Sequence, residues 1–447
     1  MKFDQPLYEY VLRATKSFEE SLDSRPVTPD ETSMQSLNGF EEPFSEKGTK
    51  PLNVIKMLNE VGEPGVVSSR GGRYYGFVTG GALPVAVAAN WLAASWDQNA
   101  GPGVLSPTAA KVEEVAGGWV LDLLDLPRES GFGFVTGATM AGFTALSTAR
   151  NRIYKNLGYD VKADGITNAP KIRFIMSDEI HPTNIIALQY LGYGKNELEF
   201  VPCDDQGRII SSKIPPLDDH SIVLLQAGNV NSGSFDPCHE VADLVDGTGA
   251  WLHIDAAFGG WVRASKTRSH LAAGIERADS WSLDCHKWMN VTHDSAICVC
   301  RYPDAIRDMF GVQAAYLVEG PLRESNHYTP ELSRRARGIE IWAALKHLGR
   351  DGFAALIDRT CNHAKYVASE LEEMGFEILN DVVINQIVAT MDEDKIDDFI
   401  SAVQKSGKTW FGPTLWKGRK AFRISISSHV TTREDTDIAL LAIKEAL

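Results

Sequence analysis

The chain has 447 residues, of which 44% are hydrophobic, and its formal net charge is −15 at pH 7. A chain of this length and composition can bury a sizeable core, which predicts a globular protein with two domains. The negative charge argues against nucleic acid and anionic membrane surfaces as partners, and no apolar run reaches the roughly 18 residues of a membrane span.

The six cysteines are scattered along the chain and form no CxxC pair. We therefore expect reduced core thiols rather than disulfides or a metal clip. The first residues are polar and lack the apolar stretch of a signal peptide. Together these features predict a cytoplasmic protein.

Residues 1–65 predict helices that have no core of their own. Apolar residues recur at helical spacing near the start (Tyr8, Val11, Leu12), and a second helical pattern covers residues 54–61. We expect this segment to lie on a neighbouring subunit of a homodimer. An N-terminal helix packed on its own chain is the alternative.

Residues 66–305 predict a large domain in which strands alternate with helices. Strand patterns occur at residues 132–136, 172–176, 198–201, 221–225, 251–254 and 296–300. This alternation is typical of an α/β domain with a largely parallel sheet, whose ligands bind at the carboxyl ends of the strands.

Residues 306–447 predict a small α+β C-terminal domain. Helical patterns cover residues 334–348, 353–374 and 394–405, and strands are predicted at 376–379, 383–389 and 421–426. Thr432 is placed to cap a final helix.

Two segments of the large domain have the composition of ligand-binding loops. The segment at residues 73–81, which contains Phe77 and Thr79, is rich in glycine and aromatic residues. Such a run lets the backbone approach a ligand closely, although a tight structural turn explains it equally well. The turn Gly137, Ala138, Thr139 precedes a helix and offers free N–H groups to a phosphate, but many such turns bind nothing.

Two polar residues follow or end core strands. His181 could stack on an aromatic cofactor, although a lone histidine is more often structural. Asp255 ends the most apolar strand, where a carboxylate is costly unless it meets a cation or a hydrogen-bonded partner.

Lys287 is the most informative residue of this set. It lies between His286 and Trp288 in a segment with little amphipathic pattern, so we expect partial burial, which favours the neutral, nucleophilic amine. An acid that keeps a pyridine nitrogen protonated and a lysine that forms a Schiff base are what a pyridoxal phosphate enzyme needs. Asp255 and Lys287 predict that chemistry.

Two other chemistries fit the sequence poorly. His253, Asp255 and His286 could be imagined as metal ligands, but no HExxH or Cys/His spacing supports a metal site. A serine hydrolase is also a poor fit, because the sequence lacks the GxSxG nucleophile elbow.

At this point the sequence resembles the group II pyridoxal phosphate-dependent amino-acid decarboxylases, a family that includes aromatic-L-amino-acid and glutamate decarboxylases. The matching motifs run in family order: FVTG at 77–80, SPTA at 106–109, TGAT at 136–139, SFD at 234–236, HIDAA at 253–257, HKW at 286–288 and RRAR at 334–337. They are specific for cofactor and fold, and less so for the reaction.

The resemblance implies an aspartate aminotransferase-like fold (fold type I) and an obligate dimer with shared active sites. It implies that Lys287 bonds the cofactor, His181 stacks on its ring, Asp255 pairs with the ring nitrogen and Ala257 packs against it. The phosphate would be held by Gly137, Ala138, Thr139 and His286, with Asp284 nearby.

Four departures from the family pattern bear on the reaction. Asp284 stands where the aromatic enzyme has asparagine, and Gly142 replaces a larger residue on the phosphate helix. Asn229, Val230 and Asn231 stand where a threonine-rich turn is expected, close to the cofactor. The loop at residues 316–328 is shorter than the family loop that supplies a proton-donating tyrosine, for which Tyr328 is the best local candidate and His327 the second.

The sequence therefore predicts decarboxylation of an L-amino acid to its amine. Aromatic residues such as Phe77 suggest an aromatic substrate, whereas Arg423, at a position where aminotransferases bind a carboxylate, suggests an acidic one. A strand arginine paired with a surface acid explains Arg423 equally well. Aminotransferase, aldehyde synthase and C–C lyase activities remain alternatives, and an inactive binding homologue is a weaker one because Lys287 and Asp255 are present.

Overall fold

A computed structural model describes residues 3–312 and 320–447 of the chain. The N-terminal segment contains three helices: α1 (Gln5–Ser21), α2 (Glu31–Ser36) and α3 (Pro51–Gly62). Asp4 caps α1, since its side chain accepts a hydrogen bond from the N–H of Leu7. None of these three helices contains a fully buried residue, as expected for a segment without its own core.

The next part of the chain alternates helices and strands as predicted. In chain order the helices are α4 (Pro84–Trp96), α5 (Pro107–Leu123), α6 (Ala138–Asn156), α7 (Val161–Asp164), α8 (Pro182–Tyr190), α9 (Cys238–Val245) and α10 (Pro303–Phe310). The strands are β1 (Gly131–Val135), β2 (Arg173–Ser177), β3 (Leu198–Val201), β4 (Ser221–Gln226), β5 (Trp251–Asp255), β6 (Ser280–Asp284) and β7 (Ala296–Cys300). Strand β6 was not among the strand predictions.

These seven strands form one sheet in the order β1-β7-β6-β5-β4-β2-β3. Strands β2 to β6 pair in parallel, and β7 runs antiparallel to both β6 and β1. All residues of β4, β5 and β6 are buried, because helices cover both faces of the sheet. The predicted α/β class with a largely parallel sheet is confirmed.

The C-terminal part contains a second, smaller sheet. Its elements are α11 (Gly338–Glu373), β8 (Glu377–Ile378), β9 (Gln386–Thr390), α12 (Ile396–Lys405), β10 (Gly412–Trp416), β11 (Arg419–Ser425) and α13 (Arg433–Glu445). The four strands pair antiparallel in the order β10-β11-β9-β8. Helices were predicted at residues 334–348 and 353–374, and α11 is indeed two helices that meet at a kink, where Gly349 has non-helical backbone. Thr432 caps α13 as predicted, and its hydroxyl accepts from the N–H of Asp435 at 3.2 Å.

Within the described ranges, no helix combines the length and the apolar character that a membrane crossing requires.

Candidate functional site

A cavity of about 180 Å³ opens at the carboxyl edge of the large sheet. Its wall is built from the segments that follow β1, β2, β4, β5 and β6, where a largely parallel sheet places its ligands. The lining residues are Gly137, Ala138, Thr139, His181, Thr183, Gln226, Gly228, Val230, Asp255, Ala257, Phe258, Asp284, His286 and Lys287. The structure thus brings together all nine residues that the sequence assigned to cofactor binding.

The turn after β1 leads into α6, and both the turn and the N-terminus of this helix face the cavity. The N–H of Ala138 donates to Oδ1 of Asp284 at 2.6 Å. A helix N-terminus favours an anion, and here a carboxylate takes that position. The same turn is therefore chemically suited to a phosphate group.

Lys287 follows β6 and points its amine at the same carboxylate. Its Nζ lies 3.0 Å from Oδ2 of Asp284, and Nε2 of His286 lies 3.5 Å from Oδ1. The loop is fixed by Ser295, whose carbonyl oxygen accepts from the N–H groups of Cys285 and His286. Asp284 is therefore the centre of a cluster that joins the turn, the histidine and the lysine.

The glycine-rich segment at residues 73–81 approaches the backbone of Lys287. A β-carbon at Gly80 would lie 1.8 Å from the carbonyl oxygen of Lys287, so only glycine permits this packing. Phe77 and Thr79 flank this contact but do not line the cavity of their own chain. Phe77 is 66% exposed and stacks on Trp410 at 5.3 Å between ring centroids.

Asp255 presents a buried carboxylate to the cavity, with 7% of the residue exposed. Oδ2 accepts from the side-chain amide of Asn184 at 2.6 Å, and Oδ1 accepts from the N–H of Ala257 at 3.1 Å. Two neutral donors therefore orient the carboxylate. Among the described residues no lysine, arginine or histidine forms an ion pair with it.

His181 caps α8 and lies on the cavity wall. Its Nδ1 lies 2.7 Å from the hydroxyl of Thr183 and accepts from the N–H of the same residue at 3.3 Å. Burial lowers the pKa of His181, and Lys287 and Arg423 lower it further, against the opposing effect of Asp255. A neutral imidazole at this place is suited to stack on an aromatic ring.

His253 lies inside the core and not on the cavity wall. This side chain is fully buried in β5, its Nδ1 lies 2.9 Å from the hydroxyl of Ser280, and burial lowers its pKa to about 4. In the described part of the chain, no three His, Cys, Asp or Glu side chains are grouped to hold a metal ion.

Arg423 lies on β11 beside the cavity. Its Nη1 donates to the carbonyl oxygen of Val230 at 2.9 Å, and Val230 lines the wall. Burial lowers the pKa of Arg423 to about 10, so the guanidinium remains charged at neutral pH. No acid of residues 3–312 or 320–447 is seen to pair with it.

Tyr328 does not line the cavity of its own chain. The guanidinium carbon of Arg323 lies 3.8 Å from the centroid of its ring and 4.3 Å from that of Phe132. The proton-donor role of Tyr328 therefore stays a prediction. Residues 313–319 of the loop before it lie outside the described residues.

Three polar residues of the site were missed in the sequence, together with Gly228 and Phe258 of the cavity wall. Thr183 and Gln226 line the wall, and the side-chain oxygen of Gln226 accepts from the N–H of His181 at 2.9 Å. Gln226 ends a buried strand, so the strand-end rule could have identified it. Asn184 binds Asp255, and the available indication was a polar residue three positions after His181, in the first turn of a helix that continues with apolar residues.

We expect the variant Asp284→Asn to bind pyridoxal phosphate more tightly than the wild type, by about tenfold. The phosphate is close to doubly charged, and the carboxylate at the turn repels it, whereas an asparagine keeps an oxygen for Ala138. Fluorescence titration of the apoprotein measures the dissociation constant. Asp279→Asn is the control, since this acid binds the N–H of Leu252 away from the cavity. Weaker binding in Asp284→Asn would show that the carboxylate helps to hold the cofactor.

The residues of the cavity fit pyridoxal phosphate. A lysine amine, a buried acid held by neutral donors, a neutral histidine and an anion-binding turn surround a space for one small molecule.

Comparison with known proteins agrees with this fit. Residues 33–391 match the pyridoxal-dependent decarboxylase conserved domain. Aromatic-L-amino-acid decarboxylase of Bacillus atrophaeus is 28% identical over 365 residues, which cover 78% of this chain and 73% of that protein. Cysteine sulfinic acid decarboxylase of Mus musculus is 27% identical over 265 residues, covering 55% of this chain and about half (52%) of that protein.

Among solved structures, Oryza sativa TDC with PLP and tryptamine superimposes with a TM-score of 0.90 at 18% identity, covering 99% of this chain and 97% of that one. This likeness confirms the predicted fold of the pyridoxal phosphate enzymes. Since the family match spans most of the sequence, the chain belongs to the pyridoxal-dependent decarboxylase family and is a pyridoxal phosphate-dependent carboxy-lyase.

Proposed function

We propose that this enzyme removes the α-carboxylate of an L-amino acid and releases the corresponding amine, with Lys287 bound covalently to the cofactor. The observation that supports this most directly is the convergence of Lys287, Asp255, His181 and the 137–139 turn on one cavity. The intact set also argues against an inactive binding homologue.

Each of these residues has a distinct task in the proposal. Bound pyridoxal phosphate supplies a protonated ring that accepts the electron pair left by departing carbon dioxide. Asp255 holds the proton on the ring nitrogen, and Asn184 and Ala257 keep its carboxylate in place. His181 covers one face of the ring. The turn at 137–139 and His286 hold the phosphate.

The product mixture tests this proposal. The purified enzyme is incubated with a panel of L-amino acids, and carbon dioxide, amine, aldehyde and keto acid are measured for each. Amine and carbon dioxide in equal amounts are expected for at least one substrate. Keto acid without carbon dioxide would indicate an aminotransferase. Aldehyde would indicate an aldehyde synthase or, without carbon dioxide, a C–C lyase.

Two features bear on the substrate. Phe77 and Val78 both adopt left-handed backbone (φ 51° and 58°), which is costly for residues with a β-carbon and is typical of functional sites. The exposed aromatic ring of Phe77, three residues before the contact of Gly80 with Lys287, supports an aromatic substrate. Arg423, a guanidinium with no acidic partner among the described residues, supports a second candidate, an amino acid with a side-chain carboxylate.

We expect Arg423→Gln to raise the KM for a dicarboxylic amino acid by about tenfold to a hundredfold, because a charged hydrogen bond to the substrate is lost. Steady-state kinetics with acidic and aromatic amino acids measures the effect. Arg419→Gln on the same strand is the control, since that exposed arginine pairs with Glu377. An equal loss for all substrates would assign Arg423 to the α-carboxylate, and no loss would remove it from the site.

A homodimer with shared active sites is part of the proposal. Large apolar side chains are exposed on α1, α4 and the loop after α4, a pattern typical of an interface: Tyr8, Leu12, Trp91, Leu92, Val104 and Leu105. Phe77, Thr79 and Tyr328 lie off the cavity of their own chain, which fits a site that a second subunit completes. A solution mass equal to one chain would contradict this.

We also propose a cytoplasmic location. The six free cysteines, five of them buried, support a reducing compartment.

A further inference from the structure

One cysteine differs from the others in its surroundings. Cys203 follows β3 and is partly exposed, whereas the other five cysteines are buried. Its sulfur lies 2.7 Å from the Nζ of Lys417, in the turn between β10 and β11. The contact joins the large and small sheets across 214 positions of sequence. A nucleophilic thiol and a primary amine therefore meet at a surface that small oxidants can reach.

Two carboxylates complete this cluster. Asp178 is hydrogen-bonded to the Cys203 side chain, and Oε1 of Glu179 lies 3.7 Å from the Nζ of Lys417. Both acids belong to the segment that follows β2 and leads to His181. They are the nearby groups that can take up the protons of the thiol and of the ammonium.

We propose that Cys203 and Lys417 are a site of oxidative modification, where hydrogen peroxide joins the cysteine sulfur covalently to the lysine nitrogen. The thiol first reduces peroxide and becomes a sulfenic acid, with release of one water. The neutral amine then attacks this sulfur, the S–OH bond breaks, and a second water leaves as the S–N bond forms. Sulfur loses two electrons, and the O–O bond of peroxide takes them up.

A second peroxide can insert one oxygen into the S–N bond with loss of another water, which gives a sulfur–oxygen–nitrogen link between the same residues. Both products join the β10–β11 hairpin, which carries Arg423, to the segment that carries His181. The proposal does not depend on which amino acid the enzyme decarboxylates.

The protonation of the pair sets the conditions of the reaction. Burial raises the pKa of Cys203 to about 11, and Asp178 adds to this, against the opposing effect of Lys417. Burial lowers the pKa of Lys417, but Cys203, Glu179 and Asp178 outweigh it, so the net shift is upward. Both groups therefore hold their protons at neutral pH, and cross-linking is slow there and faster in alkaline solution.

Mass spectrometry of the purified holoenzyme tests the proposal. After hydrogen peroxide treatment at about pH 9, proteolysis should release the Cys203 and Lys417 peptides as one species. Its mass should equal the sum of both peptides less two hydrogens, or that mass plus one oxygen, and a thiol reductant should separate them. At about pH 7 the yield after the same time should be at least about tenfold lower.

Matched variants separate this cross-link from general oxidation. Cys203→Ser and Lys417→Arg should both lose the joined species. Cys361→Ser should retain it, since Cys361 is buried and is distant from both residues in the sequence. Cys203 recovered as sulfinic or sulfonic acid beside an unmodified Lys417 peptide would overturn the proposal. So would a joined species that survives in Lys417→Arg.

Discussion

Replacing Lys287 with alanine will abolish decarboxylation, with a fall in kcat of at least about a thousandfold. Among the described residues, Lys287 is the only lysine on the cavity wall, and its amine lies 3.0 Å from Asp284. Without this amine the cofactor has no covalent attachment. The visible absorption band of the lysine-linked cofactor should therefore disappear from the purified variant, although some cofactor can still bind through its phosphate.

Two further variants test whether the loss of activity in Lys287→Ala comes from the loss of covalent attachment. Lys287→Arg keeps a cation near Asp284 but offers no nucleophilic amine, so it should be as inactive as the alanine variant. Lys266→Ala removes a lysine whose side chain is 83% exposed, and should leave both band and rate unchanged. A wild-type protein that stays colourless after addition of cofactor would refute the proposed chemistry altogether.

The strands of the large sheet that the sequence predicted are those in which apolar residues predominate. Strand β6 was missed because its sequence, SWSLD, contains two serines and an acid, residues that are typical of loops. In the structure, the hydroxyl of Ser280 accepts from Nε1 of Trp251 and contacts His253, so its polarity is satisfied inside the core. Such partners come from a neighbouring strand and are not visible along the sequence.

The sequence predicted those residues of the candidate site that lie at the end of a core strand. Asp255, His181 and the 137–139 turn all lie where a core strand stops, and the sheet brings such ends to one edge. Asn184 was not found, since its role depends on how α8 packs over β5. The bond between Asp284 and Ala138 depends on the sheet order, in which only β7 separates β1 from β6.

The second large effect is expected at Asp255, where a substitution should lower the rate much more than it weakens cofactor binding. In Asp255→Asn we expect kcat to fall by about a thousandfold or more, because a neutral amide cannot keep the ring nitrogen protonated. The cofactor dissociation constant should change by less than about tenfold, since the lysine and the phosphate turn remain. Asparagine is preferable to alanine, because an alanine would leave the buried amide of Asn184 without its acceptor.

The variant Asn184→Val tests whether the orientation of this carboxylate matters as well as its charge. It removes the donor at 2.6 Å but leaves the acid and its bond to Ala257, so the fall in kcat should be intermediate, about tenfold to a hundredfold. Both variants need kcat, the cofactor dissociation constant and the absorption maximum of the bound cofactor. If rate and affinity fall together in Asp255→Asn, the carboxylate serves to hold the cofactor, and its assignment to the ring nitrogen is wrong. If Asn184→Val keeps the wild-type rate, the charge of Asp255 is sufficient without this hydrogen bond.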